Sequence, residues 1–324
     1  MSTSSKPPLI LLLGVTASAK SAVAIELAQW FNAEIVSVDS MQVYRRMNIG
    51  TAKPTAQELS AVRHHLVDVV DPHESFSAAR FTEMADEAIA GIAARGKTPL
   101  VVAGTPLYLM SLMYGLFDGP SADSGLREEF RRRAGEHGIG ALHSDLTRVD
   151  PEAAARIHPN DYKRIERALE VHAVTGRPLS EQQVQWSAGA LRYRAVVVGI
   201  RREKEEASRR INSRVRGMIE TGLVEEVRSL LSEPPGLSEQ ARQAVGYAEI
   251  IAYLAGAMSL EDAVERIKIN TRRLAKHQRT WFRKFPMTEW VDAAGDDTGA
   301  IANQIAEVID VLNVREAIGI APRS

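Results

Sequence analysis

The sequence predicts an α/β protein: a parallel sheet covered by helices on both faces and interrupted by a helical insertion. Three observations predict it. The fully apolar run Leu9–Leu13 leads into a loop of small residues and then a helix. Strand-like and helix-like segments alternate through residue 120, the pattern of a parallel sheet. Between about 121 and 190 the chain turns charged and helix-rich without a strong strand, until Val196–Ile200 resumes the apolar strand pattern.

Leu9–Leu13 has no polar residue, as a strand buried on both faces requires. Lys20 to Trp30 reads as a helix with apolar faces from Ala22, Val23, Ile25, Leu27 and Ala28. Ile35–Val38 is a second strand, and Leu66–Val70, ending at Asp71-Pro72, is a candidate third. Phe81–Ala94 is helical and closed by Gly96. Leu100–Ala103 is another buried strand, running into Gly104-Thr105-Pro106. Long helices are expected from Lys204 to Leu231 and from Leu260 to Phe285. The layout is then a core of 1–120 and 191–324 with an insertion at 121–190.

The loop after the first strand is Gly14-Val15-Thr16-Ala17-Ser18-Ala19-Lys20-Ser21. It fits the phosphate-loop pattern G-x-x-x-x-G-K-[ST] except at Ala19, and makes the expected core P-loop NTPase-like. In such a loop successive backbone N–H groups wrap a phosphate, and the helix N-terminus adds partial positive charge. Lys20 supplies a mobile full charge, and the Ser21 hydroxyl is placed to ligate Mg²⁺. Glycine at position 19 would take a left-handed backbone at no cost; alanine there stores on the order of 1–3 kcal/mol. The plain alternative is a strand–turn–helix with an incidental lysine.

Composition narrows the classes. Hydrophobic residues at 45% and charged residues at 25% favour a packed core over disorder. Lys+Arg (40) and Asp+Glu (41) nearly cancel, so a nucleic-acid partner must be sought in local clusters. The absence of cysteine excludes disulfides, Cys-type zinc sites and thiol nucleophiles, and fits a cytoplasmic setting. No apolar run approaches the ~18 residues of a membrane span. Lys6, Leu9–Leu13 and Ala17-Ser18-Ala19 imitate a signal peptide, but the apolar run ends too soon, at Gly14.

Further blocks follow the loop. They are Ile35-Val36-Ser37-Val38-Asp39-Ser40-Met41-Gln42-Val43-Tyr44, Met47-Asn48-Ile49-Gly50-Thr51-Ala52-Lys53-Pro54 and His64-His65-Leu66-Val67-Asp68. Later come Gly104-Thr105-Pro106-Leu107-Tyr108, Arg156-Ile157-His158-Pro159-Asn160-Asp161, Arg164 with Arg167-Ala168-Leu169-Glu170, and Gln243-Ala244-Val245-Gly246-Tyr247. The last is Thr271-Arg272-Arg273-Leu274-Ala275-Lys276-His277-Gln278-Arg279-Thr280-Trp281-Phe282. With these, residues 9 to 292 resemble the tRNA dimethylallyltransferases (tRNA isopentenyltransferases). The segments Asp39–Gln42 and Gly50–Pro54 are the specific ones; the phosphate loop alone is not. The family ordinarily has Gly where this chain has Ala19 and usually Pro at Val15, and its Gly-Gly-Thr is here Ala103-Gly104-Thr105.

The resemblance implies transfer of a dimethylallyl group from dimethylallyl diphosphate to N6 of the adenine just 3′ of the tRNA anticodon. The implied partners are that diphosphate and the tRNA anticodon stem-loop, the implied cofactor is Mg²⁺, and the expected state is a monomer. It implies that Gly14–Ser21 hold the diphosphate, that Arg214 adds a contact to it, that Asp39 is the general base and that Thr105 orients the centre. Asp39, Ser40, Met41 and Gln42 would hold the target adenine. Lys163, Arg164, Arg167, Gln243, Gly246 and Tyr247 would contact tRNA. Read without the resemblance, Asp39 at a strand end is equally a turn residue, Thr105 a helix start and Arg214 a solvated charge. His64, His65 and His158 lack metal-ligand spacing and read as structural.

From Arg266 to Lys284 there is no acidic residue, and Arg272, Lys276, Arg279 and Arg283 recur at helical spacing on one face. Ile267, Leu274, Trp281 and Phe285 lie on another face and are expected to pack inward. Such a basic ridge suits a phosphate backbone. Arg127, Arg131, Arg132 and Arg133, interspersed with Glu128 and Glu129, read as a solvated surface instead. Two other functions stay open at this point. One is a small-molecule enzyme with the same loop, a kinase or an isopentenyltransferase acting on free adenine nucleotide. The other is an RNA-binding protein with an impaired active site.

Overall fold

The computed structural model describes residues 6–117, 119–120, 123–183, 186 and 191–311. Parts of both expected insertion boundaries, 121–122 and 187–190, lie outside these residues. The chain divides into two compact units, Met1–Met113 with Arg192–Ser324, and Tyr114–Leu191.

The first unit begins with β1 (Leu9–Gly14), α1 (Lys20–Trp30), β2 (Ala33–Val38), α2 (Ala56–Ala61), β3 (His64–His65), α3 (Ala78–Ala94), β4 (Thr98–Ala103) and α4 (Pro106–Tyr114). It resumes with β5 (Ala195–Arg201) and the next helices of this unit, Lys204–Glu220, Leu223–Ser232, Glu239–Arg242, Tyr247–Leu254 and Leu260–Phe282, then a strand at Glu289–Asp292 and a helix at Thr298–Val311. Its six strands form one sheet in the order β3-β2-β4-β1-β5 and then Glu289–Asp292, paired in parallel throughout. This is the α/β class the sequence predicts.

Leu9 to Leu13 are all at 0% exposure, because β1 lies between two neighbours and is covered on both faces. Ile10 and Leu12 point to one side, into a cluster with Val23 and Leu27 of α1 and Ile301 and Ile305 of Thr298–Val311. Leu9, Leu11 and Leu13 alternate to the opposite face. Each such side chain contributes about 1.5–3 kcal/mol by leaving water.

Several expectations are corrected. The third strand is His64–His65, not Leu66–Val70: Leu66 and Asp68 take positive φ (62° and 56°), which no strand tolerates, and Val70 makes only an isolated bridge to Tyr44. The helix expected from Lys204 to Leu231 is two helices, broken at Gly222 (φ 103°). The helix expected from Leu260 to Phe285 ends at Phe282, and its buried stripe is Ala263, Ile267, Thr271, Ala275, Gln278 and Phe282. Leu274 is 37% exposed rather than packed inward. Phe285 is buried beyond the helix end.

The second unit is helical throughout its described elements: Ser124–His137, Ile139–Val149, Pro151–Arg156, Tyr162–Thr175 and Leu179–Gln182. Phe130, Leu142, Leu146, Ile165 and Leu169 form its core. Glu170 is fully buried there and is held by Arg127 (Nε–Oε1 2.8 Å) and Arg167 (Nη1–Oε2 2.6 Å). Arg127 therefore belongs to an internal ion pair and not to the solvated surface expected for it. Arg132, by contrast, bridges Glu129 and Glu136 on the exposed side.

Candidate active site

The register of the sheet decides what can meet what. Leu13 and Val38 both pair with Ala103, so the C-terminal ends of β1, β2 and β4 stop at one level. The phosphate loop, Asp39 and Gly104-Thr105 leave the sheet side by side, where ligands of open parallel sheets bind. A cavity of about 550 Å³ opens there, lined by the loop from Thr16 to Ser21, Asp39–Gln42, Gly104, Thr105, Arg214 and Gln243.

The loop keeps its shape at a cost. Ala17 and Ala19 both have left-handed backbones, with φ 63° and 75°. Ala19 is the N-cap of α1, and its carbonyl accepts the Val23 N–H at 3.1 Å. Gly14 is required because a Cβ there would meet Ser18 Oγ at 2.5 Å. Two loop amides already have partners within the protein: Ser18 N–H donates to the Val15 carbonyl (3.1 Å) and Thr16 N–H to Gln278 Oε1 (2.8 Å). Two carbonyls are held by arginines, Ala17 O by Arg210 Nε (3.0 Å) and Ser18 O by Arg202 Nε (3.0 Å). Arg214 reaches the Thr16 hydroxyl at 3.4 Å.

Lys20 and Asp39 face one another across Gly104. A Cβ added at Gly104 would lie 3.5 Å from Lys20 Nζ and 3.4 Å from Asp39 Oδ2. Burial pushes the Lys20 ammonium down to about 8; Asp39 opposes that shift and Arg214 adds to it. Asp39 uses its two oxygens differently. Oδ1 accepts the Met41 and Gln42 N–H groups (2.9 and 3.2 Å), fixing the carboxylate, while Oδ2 is directed at the Gly104–Lys20 gap. Thr105 Oγ1 accepts the Ser40 N–H (2.9 Å) and donates to Ser40 Oγ (3.2 Å), tying the end of β4 to the end of β2. Thr105 also starts α4, its carbonyl accepting Leu109 N–H.

Of the other expected residues, Ser40, Met41, Gln42 and Gln243 line the same cavity. Gln42 is buried, and its amide donates to the Thr51 and Ala52 carbonyls, so it also braces the 51–52 turn. Tyr247 has no exposed surface: its hydroxyl donates to Glu226 (2.5 Å), and its ring lies 2.4 Å from where a Gly50 Cβ would be. In this conformation it is a packing partner of the 47–51 loop, not a surface for RNA. Gly246 caps the helix that follows it, with φ 97°. Arg272 is half-buried and donates to Asn212 (2.7 Å), whereas Lys276 is exposed and Arg279 half-buried. Lys163, Arg164 and Arg167 lie on Tyr162–Thr175 of the second unit; Lys163 and Arg164 are exposed, and Arg167 holds Glu170 and the Pro120 carbonyl.

Sequence reasoning assigned no role to Gln278, Arg202, Arg210 or Glu226. Glu226 accepts the N–H groups of Asn48, Ile49 and Gly50, anchoring the 47–53 loop. Arg210 left a signal in lying one helical turn from Arg214, and Gln278 in standing within the Thr271–Phe282 block, though neither was given a role.

Known proteins agree with this architecture. The IPP transferase family model matches residues 42–285. The chain belongs to the IPP transferase family. The chain is 48% identical to tRNA dimethylallyltransferase 1 of Pelobacter propionicus over 286 residues, covering 88% of this chain and 93% of the relative. It is 49% identical to tRNA dimethylallyltransferase of Geobacter metallireducens, covering 91% and 96%. Among solved structures it is similar to a full-length tRNA isopentenylpyrophosphate transferase of Bacillus halodurans (TM-score 0.66, 39% identity, 95% of this chain and 99% of that one). It is also similar to a eukaryotic dimethylallyltransferase acting on tRNA (TM-score 0.81, 30% identity, 96% and 80%).

Proposed function

We propose that this protein transfers a dimethylallyl group from dimethylallyl diphosphate to N6 of the adenine 3′ of the anticodon in tRNA, acting as a cytoplasmic monomer. The reading rests above all on one observation: the phosphate loop with Lys20 and the Asp39 carboxylate leave β1 and β2, the two strands that flank β4, at the same level and share one cavity.

The chemistry sets two demands. An adenine amine is a weak nucleophile because its lone pair is delocalised into the ring, and the allylic carbon becomes cation-like as diphosphate departs. Charge must be stabilised on the leaving group, and a proton accepted from N6. In the transfer, the allylic C1–O bond breaks with its electron pair going to diphosphate, and the N6–C1 bond forms. Lys20, the loop amides and Arg214 stabilise the departing diphosphate. Asp39 Oδ2 accepts the N6 proton, during or after bond formation, since a carboxylate cannot deprotonate a neutral amine beforehand. Thr105 keeps this carboxylate in register through Ser40.

The residues fit a Mg²⁺ carried mainly by the diphosphate. No group of three or more His, Cys, Asp or Glu side chains among the described residues could hold a metal, and Ser21 is exposed in the cavity wall. Mg²⁺ typically keeps several waters and binds through few protein ligands plus substrate phosphates. Ser21 would hold it, and the ion would supply further neutralisation of the diphosphate.

For the RNA, the adenine must leave the anticodon-loop stack, which is cheap in a single-stranded loop. Arg272, Lys276 and Arg279, with Lys163, Arg164 and Arg167, are assigned to the tRNA backbone. Neutralising Arg272, Lys276 and Arg279 should weaken tRNA binding and lower its log–log salt slope by about 0.7–0.9 per lost phosphate contact. An unchanged slope removes the ridge from the interface.

The deciding experiment offers labelled dimethylallyl diphosphate with unmodified tRNA or with AMP. Label in tRNA alone is expected. Label in AMP would make this a free-nucleotide isopentenyltransferase. Label in neither, with tRNA still bound, would leave an RNA-binding protein.

A further inference from the structure

Gln278 lies on Leu260–Phe282 at 4% exposure, in that helix's buried stripe. Its side-chain amide spans two loops. Oε1 accepts the Thr16 N–H of the phosphate loop at 2.8 Å, and Nε2 donates to the Gly104 carbonyl at 2.6 Å. The orientation of the amide is fixed by its partners: a backbone N–H can only donate and a carbonyl can only accept. Of side chains this size, only an amide presents a donor and an acceptor at one planar end.

What the two loops carry gives the contact its meaning. Thr16 belongs to the diphosphate cradle and reaches Arg214. Gly104 precedes Thr105, which holds Ser40 and so the Asp39 turn. Gly104 stands between Lys20 and Asp39 without a side chain; its N–H donates to the Val38 carbonyl on the β2 side (3.0 Å), and through Gln278 its carbonyl is tied to the phosphate loop. We infer that Gln278 is a positioning residue that fixes the distance between the diphosphate cradle and the Asp39 carboxylate, and so aligns the allylic carbon between its leaving oxygen and N6. Gln278 touches neither substrate in this role. The inference rests on the transferase reading above, because only a reaction that spans both loops makes their spacing rate-determining.

The demand on spacing is steep. Displacing reacting groups by about 1 Å can cost about 10²-fold in rate, while a diphosphate still finds the same amides and cations. Loss of the strut therefore lowers kcat rather than affinity.

The test compares Gln278→Met, which keeps the length and removes both hydrogen bonds, with the near-isosteric Gln278→Glu, which keeps the acceptor for Thr16 but loses the donor to Gly104. Three quantities are measured on full-length protein: single-turnover dimethylallyl transfer to tRNA, the Kd of each substrate, and hydrogen exchange at the Thr16 amide. Both variants should transfer about 10–100-fold more slowly with substrate affinities within about threefold of the parent. Thr16 exchange should accelerate in Gln278→Met and stay slow in Gln278→Glu. Unchanged transfer in both overturns the inference, as does a rate loss matched by an equal loss of dimethylallyl diphosphate affinity. If Gln278→Met does not fold, Gln278→Glu decides on the same criteria. A parent protein that transfers no dimethylallyl group defeats the transferase reading instead. The strut is then judged by Thr16 exchange, and unchanged exchange in Gln278→Met overturns it as well.

Discussion

The two ends of β2 each present a carboxylate, and the protein treats them in opposite ways. At the start of the strand, Glu34 is only 3% exposed at its side chain and is ringed by His65 (2.7 Å), Arg95 (2.6 Å), Lys97 (3.2 Å) and Arg63 (3.9 Å). Burial pushes its carboxyl up, but hydrogen bonds from Arg95, His65 and Lys97 outweigh that and bring it down to about 2. Just beyond the other end, Asp39 commits one oxygen to backbone N–H groups and directs the other into a cavity. A carboxylate whose acceptor capacity is saturated by the protein is a structural part. One held firmly by half of itself is prepared for a proton that the protein does not supply.

The largest effect should come from exchanging the oxygen that faces the cavity. Asp39→Asn keeps an acceptor for the Met41 and Gln42 amides, so the turn persists while the proposed base is lost. Turnover should fall on the order of 10²–10⁴-fold with tRNA affinity and melting temperature nearly unchanged. Equal losses of binding and rate would make Asp39 a structural residue like Glu34.

The mirror experiment at the lower end should move stability and spare the chemistry. Glu34→Gln should cost about 1–3 kcal/mol near neutral pH, with kcat unaffected. The sign of its pH dependence follows from a folded pKa near 2, below the ordinary 4.5. The carboxylate's contribution is complete above the unfolded value and is lost as pH falls from there towards 2. Denaturant titrations of parent and variant should therefore converge as the solution is acidified; a gap that stays constant down to pH 3 would contradict the assignment.

The cations differ as well. At the lower end the guanidinium groups of Arg63 and Arg95 stand against Glu34. Lys20 at the upper end is buried enough to titrate near 8. A diphosphate requires its charged form, so affinity for dimethylallyl diphosphate should fall by up to about tenfold per unit as pH rises above 8. Lys20→Arg should bind with little dependence on pH over the same interval. Equal affinity of the parent at pH 7.5 and 9.5 would show that Lys20 does not meet the diphosphate.

How much of this was legible depended on distance along the chain. The phosphate loop, Asp39 and Thr105 each sit directly after an apolar strand, so local pattern located them, and the shared register of the strands did the rest. Gln278 is 262 residues from Thr16 and 174 from Gly104, and Arg202 is 184 from Ser18; no local pattern encodes such pairs. Tyr247 was readable as important but not as buried, because its partner Gly50 is recognisable only once the ring is seen against it. The positive φ of Leu66 hid the short third strand in the same way, since a leucine does not announce a left-handed turn.

Ala19 offers the finest test of how function and strain share the upper end. Its methyl group does not prevent the loop from forming: the residue takes φ 75° and ψ 13°, and the first turn of α1 closes onto its carbonyl. The departure from the family pattern is thus paid in backbone strain rather than in lost shape. A left-handed alanine costs about 1–2 kcal/mol, and replacing it by glycine returns about 0.4–1 kcal/mol of that to unfolded-chain entropy. Ala19→Gly should therefore stabilise the protein by only about 0.5–1 kcal/mol. It should improve dimethylallyl diphosphate affinity by no more than about threefold, since the amides and cations of the cradle already stand in place. An affinity gain beyond tenfold would mean that the Ala19 Cβ obstructs the phosphate itself, and the loop would then be limited at its site as well as in its stability.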